Sequence, residues 1–510
     1  MRQQAGYWKS ISERVREREE KLKQRVEELE AEVKKFKRMV FDRKSEKSSS
    51  KKDKGSGTKK AKSRKSRGQQ PGNPGPPRRD TSHLAVEEEF VELPEQECCC
   101  GRCGLPFEVD GSLGTEDSEQ IEIEVKTHKR RIRRRRYKPT CDCPDLPGII
   151  TAPSEPKLIP KGLYGISMWV TILLDKYCFL RPTNRLLEDL RTHGLDLAMG
   201  TLTGGLKKLE PLFDPILAEI VRKNLEEDQW HADETGWRMF VDTEGKVGHK
   251  WYFWLIRSRS AVVFLLDSTR AARVPEAHFS GAEKGILIVD RYSGYKAMAM
   301  VKEGKILLAF CWVHVRRDFL NVAKDWSGHE AWGFSWVEAI GELYHLNKLR
   351  LQAQPSQFPK RDADLRAAVE RMATRRDEEL SQEDLHPARR KPLKSLVNHW
   401  PGLTIFVDHP EIPMDNNLGE RTLRDAVCAR KFFFGSYALW AGKLAAIMFS
   451  LCATLEIWNI NPRLWLTAYF EACAQHGGKP PDDAARWLPW NLSAEQRKAM
   501  AALPDVNNSS

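Results

Sequence analysis

No apolar run opens this sequence. It begins MRQQAGYWKSISERVRERE, charged throughout and without the hydrophobic segment of a secretory signal. It also lacks the unbroken stretch of about 20 apolar residues that a membrane span needs. The two longest apolar windows are LYGISMWVTILLDKYCFL, broken by Asp175 and Lys176, and GKLAAIMFSLCATLEIW, which is short and ends close to Glu456. Both are expected as buried helices in a soluble, cytoplasmic chain with no membrane partner. A phosphate-binding loop is missing as well: GSGTKK has neither the required glycine-to-lysine spacing nor a strand before it. Cysteine is sparse outside one region, where Cys178, Cys311, Cys428, Cys452 and Cys473 stand apart, most of them as core fillers.

The other six of the eleven cysteines fall between positions 98 and 143. Such clustering without an export signal points to metal rather than disulfides. Cys100 and Cys103 form a Cys-x-x-Cys knuckle, and Cys141 with Cys143 can supply the opposite pair, closing a tetrahedral structural Zn²⁺ site. Cys98 or Cys99 can substitute for one of these ligands.

Charge is uneven. Residues 1–79 hold 26 Lys and Arg against 11 Asp and Glu, whereas the remainder holds 57 against 60. A nearly balanced body therefore carries a basic arm, and such an arm suits a polyanion such as nucleic acid. A second basic run, with Lys129, Arg130, Arg131, Arg133, Arg134, Arg135 and Arg136, lies between the two cysteine pairs. Burying it unpaired is costly, so it is expected as a phosphate-contacting face.

The pattern along the chain suggests six segments. Residues 1–47 carry a heptad, with Leu22, Leu29 and Phe36 in one register and Val26, Val33 and Val40 in the other. This predicts a coiled coil, with self-association favoured over docking on its own body. Residues 48–80 are rich in Lys, Ser, Gly and Pro and read as a basic flexible linker. The zinc-binding module occupies 81–160. Residues 161–226 are helical, with a turn at His193-Gly194 that gives a candidate helix-turn-helix presenting Thr201, Thr203, Lys207 and Lys208. Short aromatic and β-branched runs then begin a 227–440 core with a helical insertion at about 327–398. A helical region follows over 441–510. The fold class is multidomain α+β.

Within the core, Asp233 lies in WHADETGW and Asp290 ends the apolar run GILIVD. Carboxylates on buried strands need a partner or a metal. A third acid, Glu420, lies in DNNLGERTLR, where Asn417 and Glu420 have the spacing of a capping box and Glu420 and Arg424 that of a surface ion pair. If that helix start faces the strands, Asn416 and Glu420 share a face and three carboxylates converge. Such a set suits Mg²⁺ or Mn²⁺, with Arg421 and Arg424 steadying a phosphate backbone.

HADET, DRYSGY and DNNLGERTLR…RKFFFGS, together with VFDRKSEK, the cysteine knuckle, CWVHVRRDF and GSYALWAGKLAAIMFSLCATLEIWNINP, resemble in order the transposases of the IS66 family of bacterial insertion sequences. The resemblance runs from about residue 8 to 470. It implies an RNase H-like α/β catalytic core with a DDE metal triad at Asp233, Asp290 and Glu420. It also implies phosphodiester cleavage at element ends and joining of the 3′-OH to target DNA. The expected partners are double-stranded DNA, a second copy of the chain in at least a dimer, and small accessory proteins of the same element, in a bacterial, nucleoid-associated setting. Cys311 and His314 in CWVH resemble a Cys-x-x-His element near the active site of several such lineages, giving two active-site helpers beside Asn416. One alternative is a non-catalytic, zinc-dependent DNA-binding protein derived from a transposase. Another is a metal-free hydrolase with paired carboxylates.

Overall fold

The computed structural model describes residues 2–41, 86–88, 98, 100, 102–107, 118, 120–121, 125–138, 140, 149–242 and 248–501. The whole 48–80 segment thus lies outside the described residues, and so do Cys99, Cys141 and Cys143. The chain divides into two units, 41–125 and the remainder.

Helix α1, Arg2–Phe41, is one continuous rod dense in Glu, Lys and Arg. Its heptad residues Leu22, Val26, Leu29, Val33 and Phe36 are all exposed. A different stripe faces the rest of its unit. Ala31 is buried, Lys34 donates to Ser327, Arg38 donates to Asn321 and Asp325, and Glu27 meets His386.

A two-residue ladder, β1 Arg136–Tyr137 with β2 Ile150–Thr151, follows the basic run. Four helices come next: α2 Ile166–Tyr177, α3 Thr183–Thr192, α4 Met199–Leu209 and α5 Asp214–Leu225. The apolar window broken by Asp175 and Lys176 becomes α2, whose Trp169, Val170, Ile172, Leu173 and Leu174 join a large core. Between α3 and α4 the chain turns at Gly194, whose φ of +79° favours glycine.

The sheet begins as an antiparallel meander of β3 Gln229–Arg238, β4 Lys250–Arg257 and β5 Val262–Asp267. After α6 Arg273–Phe279, strand β6 Gly285–Val289 pairs parallel with β3. Helices α7 Ser293–Ala297 and α8 Ala299–Lys302 lead to β7 Ile306–Phe310, parallel to β6. The order is β5-β4-β3-β6-β7. Because side chains alternate along a strand, Trp230 and Ala232 enter one core while Trp237 enters another.

One face of the sheet is packed by α9 Trp312–Asp325, α10 Glu330–Leu351, α11 Phe358–Leu380, α12 Pro387–Leu403 and α13 Ile405–Asp408. The other is covered by α14 Asn417–Phe433, which lies on β3 and β4, and by α15 Leu439–Ile457, which lies on β5. Helices α16 Pro462–Gln475 and α17 Ala494–Ala499 complete the chain, α16 against α2.

Helix α15 is long and apolar enough to cross a membrane, yet most of it is buried in this core. Its two fully buried hydroxyl residues explain themselves at the sheet edge. Ser450 accepts from the Phe264 N–H at 2.8 Å and Thr454 from the Val262 N–H at 3.0 Å. These are outward-facing β5 donors that would otherwise be buried without a partner.

Candidate active site

Strands β3 and β6 place the first two acids. His231 pairs with Ile288, and the same register two residues on sets Asp233 beside Asp290 at the end of β6. The apolar run ends there because the Asp290 carboxylate accepts the Tyr292 N–H at 2.8 Å and turns the chain into α7. Asp233 sits mid-strand and accepts the Glu234 N–H at 2.8 Å. Burial, followed by the carboxylates of Glu234, Asp290 and Glu420, pushes the Asp233 carboxyl up to about 7, against the Glu234 N–H bond that pulls it down. Glu420 acts on Asp233 by like-charge repulsion, so the third acid lies within electrostatic reach of the first.

Helix α14 is joined to β3 through Asn416, which is 1% exposed. Its amide nitrogen donates to the Ala232 carbonyl at 2.8 Å and its carbonyl oxygen meets His231 Nδ1 at 2.8 Å. Its backbone N–H donates to Cys311 Sγ at 3.3 Å, and Trp312 N–H to the Met414 carbonyl at 2.9 Å. A Cβ on Gly419 would stand 2.7 Å from Asn416 Oδ1, so glycine keeps that amide in place.

This geometry corrects the expected capping box. The N-cap is Asn416 rather than Asn417, and no side chain caps the helix. Asn416 cannot bend back because its amide is committed to β3, and the Asn417 N–H is taken by Asp415 at 3.1 Å instead. Glu420 faces His314 rather than Arg424, with Nε2 at 3.7 Å from its Oε1. Glu420 Oε1 is buried without a hydrogen-bond partner, and so is His314 Nδ1. Arg421 and Arg424 are exposed on α14.

Cys311 caps the start of α9 and is fully buried. Burial raises its thiol, while N–H groups of Asn416, His314 and Val313 directed at the sulfur pull it down. Burial likewise holds His314 below the usual imidazole value, with Glu420 opposing. Donor atoms of Cys311, His314 and Glu420 lie within 4.8 Å of one another.

One acid of this region was not singled out from the sequence. Glu234 lies on the opposite face of β3 from Asp233, with a side chain 2% exposed. It accepts from Tyr295 Oη at 2.7 Å and from Arg270 Nε at 2.7 Å. Burial raises its carboxyl, while Tyr295 and Arg270 lower it. The Arg270 guanidinium stacks on Tyr292, 3.9 Å from the ring centroid, and its carbonyl accepts from the Tyr292 hydroxyl. Glu234 therefore clamps the loop that carries Asp290. The HADET string was the available signal, since neighbouring strand residues must face opposite ways.

The remaining expected positions fall elsewhere. Lys129, Arg130, Arg131, Arg133, Arg134, Arg135 and Arg136 are exposed; Arg130 pairs with Glu155 at 2.6 Å and Arg134 donates to the Ala152 carbonyl at 3.2 Å. In the 41–125 unit, Cys100 and Cys103 occupy a tight turn closed by Gly104 N–H to the Cys100 carbonyl at 2.9 Å, with Gly104 at φ +73°. Backbone N–H groups of Arg102 and Cys103, and the Cys103 thiol, lower the Cys100 thiol. That turn favours a thiolate and fits half of a metal knuckle.

Comparison with known proteins follows the same lines. Residues 161–444 match the profile described as the Transposase IS66 family. The uncharacterized protein y4jD of Sinorhizobium fredii is 26% identical over 444 residues, covering 81% of each chain. The uncharacterized proteins y4hP and y4qI of the same organism are 25% and 26% identical, covering 82% and 83% of this chain and 76% and 78% of theirs.

Proposed function

The chain belongs to the IS66 family of transposases, and we propose that it cuts phosphodiesters at the ends of a DNA element and joins the freed 3′-OH to target DNA. The mixed five-stranded sheet is compatible with the RNase H-like core that the resemblance implies. The observation that supports the reading is that α14, which bears Glu420, packs on β3, the strand of Asp233, whose parallel neighbour β6 runs into Asp290, and that Asp290 and Glu420 both act on the Asp233 charge. The charged neighbours acting most strongly on Asp233 are carboxylates, and its own carboxyl is held buried among them. Such a group calls for a cation.

Asp233, Asp290 and Glu420 would hold Mg²⁺ or Mn²⁺, hard ions that take carboxylate oxygen. The bound ions would supply Lewis-acid stabilisation of the attacking and leaving oxygens of an in-line displacement. In the first displacement a water oxygen bonds to phosphorus and the P–O3′ bond breaks. In the second that 3′-OH bonds to a target phosphorus and releases its 3′ oxygen.

The protein's own groups orient the reaction. Asn416 holds the helix that bears Glu420 against β3, and Glu234 holds the Asp290 loop. Arg421, Arg424 and the run from Lys129 to Arg136 offer exposed cations to phosphates. The Zn²⁺ module and the α3–α4 hairpin would add contacts to element ends, and α1 would pair two copies so that both ends are held together. The resemblance implies small accessory proteins of the same element as further partners.

Nicking of DNA bearing the element's ends, with Mg²⁺ or Mn²⁺, tests the reading. Glu420→Gln keeps size and removes charge, and should lower cleavage by at least about 100-fold, the scale set by losing a principal electrostatic contributor. DNA binding should persist. Wild-type binding without cleavage would favour the non-catalytic alternative, and cleavage surviving a chelator would favour the metal-free one.

A further inference from the structure

The Cys311–His314–Glu420 cluster differs in chemistry from a three-carboxylate site. It offers sulfur, nitrogen and oxygen, one atom each, all within 4.8 Å. Mg²⁺ has little use for thiolate or imidazole, whereas Zn²⁺ and neighbouring first-row ions accept all three.

Three features are left unexplained if these residues only pack. Cys311 Sγ is buried at the start of α9, where it accepts the Asn416 N–H at 3.3 Å and lies beside the other two donor atoms. His314 Nδ1 and Glu420 Oε1 are both buried with no hydrogen-bond partner, an expensive condition for two polar atoms in one cluster. His314 and Glu420 approach only to 3.7 Å, too far for a hydrogen bond between them, so their contact does not satisfy either. A cation among the three would give Glu420 Oε1 the partner that it lacks. Access exists from the His314 and Glu420 side, where those side chains are 25% and 34% exposed.

The spacing supports the same arrangement. Cys311 is the N-cap of α9 and His314 its third residue, so sulfur and imidazole lie on the first turn. Glu420 comes from the first turn of α14. The Trp312–Met414 and Asn416–Cys311 backbone bonds hold the two helix starts together without the metal.

We propose that Cys311, His314 and Glu420 form a binding site for a thiophilic divalent cation of the Zn²⁺ class, with Glu420 bridging from it to the Asp233–Asp290 pair. The proposal rests on the transposase reading only for the role of that bridge; cation binding itself does not depend on it. The site would fix the Glu420 carboxylate from behind, leaving its second oxygen for the hard ion.

Cobalt is the probe. The full chain with Cys98, Cys99, Cys100, Cys103, Cys141 and Cys143 each changed to Ser, which removes every thiol of the expected zinc module, is stripped of metal and titrated with Co²⁺. A near-ultraviolet thiolate-to-cobalt charge-transfer band should appear, be displaced by Zn²⁺, and resist excess Mg²⁺. Adding Cys311→Ser should abolish the band. His314→Ala, which leaves Cys311 in place if the serine variant folds poorly, should weaken Co²⁺ binding by at least about tenfold. A knuckle-less protein with no such band, or a band indifferent to Cys311→Ser and His314→Ala, overturns the proposal. Cleavage measured alongside separates the two readings: no band in the parent protein with intact Mg²⁺-dependent cleavage removes only this site. An intact band without cleavage supports the site and removes the transposase chemistry.

Discussion

At the scale of single residues, the ionisation of Asp233 has a definite sign. Its folded value of about 7 lies above the ordinary 3.8, chiefly through burial and then through Glu234. The folded state therefore binds the proton more tightly than the unfolded one. Its contribution to stability is full below the ordinary value and is lost as pH rises through about 7. Asp233→Asn, which cannot ionise, should raise the melting temperature of the metal-free protein, and its advantage should widen between about pH 5 and about pH 8. Mn²⁺ should narrow the gap at the higher pH by stabilising the wild type alone. Thermal unfolding followed by circular dichroism at both pH values decides it, and an advantage constant with pH would mean that Asp233 does not titrate in this window.

Ser450 is a second residue-scale case. An apolar helix of this kind invites the substitution Ser450→Ala, which hydrophobicity alone would favour. Here it strips the Phe264 N–H of its acceptor inside the core. The expected loss is about 1–3 kcal/mol, the cost of a buried unsatisfied donor. Denaturant unfolding measures it; a neutral or stabilising result would show that the β5 edge finds another acceptor.

At the scale of elements, α1 separates two surfaces that its sequence mixes. Glu27, Ala31, Lys34 and Arg38 face the rest of the unit, with contacts to Asn321, Asp325, Ser327 and His386. The heptad seam faces away, Leu22 and Phe36 being 64% and 61% exposed. Self-association and body docking were rival expectations, yet the helix has room for both. Leu29→Glu places a charge in the seam without touching the docking stripe, and should convert a dimer to a monomer in sedimentation velocity. A mass unchanged by the substitution would show that copies do not pair through this seam.

The start of α14 illustrates how an element's polar residues are shared out. From sequence, Asn417 and Glu420 matched a capping box, and that pattern is local and common. The folded chain assigns the asparagine next door to β3 and leaves Glu420 free for the site. Spacing could not separate the two outcomes, because the competing acceptor, the Ala232 carbonyl, is 184 residues away.

At the scale of the whole chain, local patterns carried a large part of the reading. The long charged heptad, the apolar α2 and α15 windows, the aromatic strand runs and the helical stretch before DNNLGERTLR each have a period or composition that physical chemistry reads directly. A buried strand must be apolar, and an acid within it or at its end must be used; hence Asp233 and Asp290 stood out before any geometry was known. Glu420 stood out as a third acid at a polar helix start; resemblance added the family, and the profile over residues 161–444 bears the family out.

What only the tertiary structure decided is the pairing of distant groups. Parallel register between β3 and β6 sets Asp233 beside Asp290, and no sequence pattern encodes register between strands separated by helices. The Glu234 clamp, the Asn416 weld and the meeting of Cys311, His314 and Glu420 all depend on side chains brought together across the sheet. Sequence determines which residues can bear charge, bury or turn, because those properties are local. Which of them meet is settled by packing, since burying the two faces of one sheet admits few arrangements and only the folded chain selects among them.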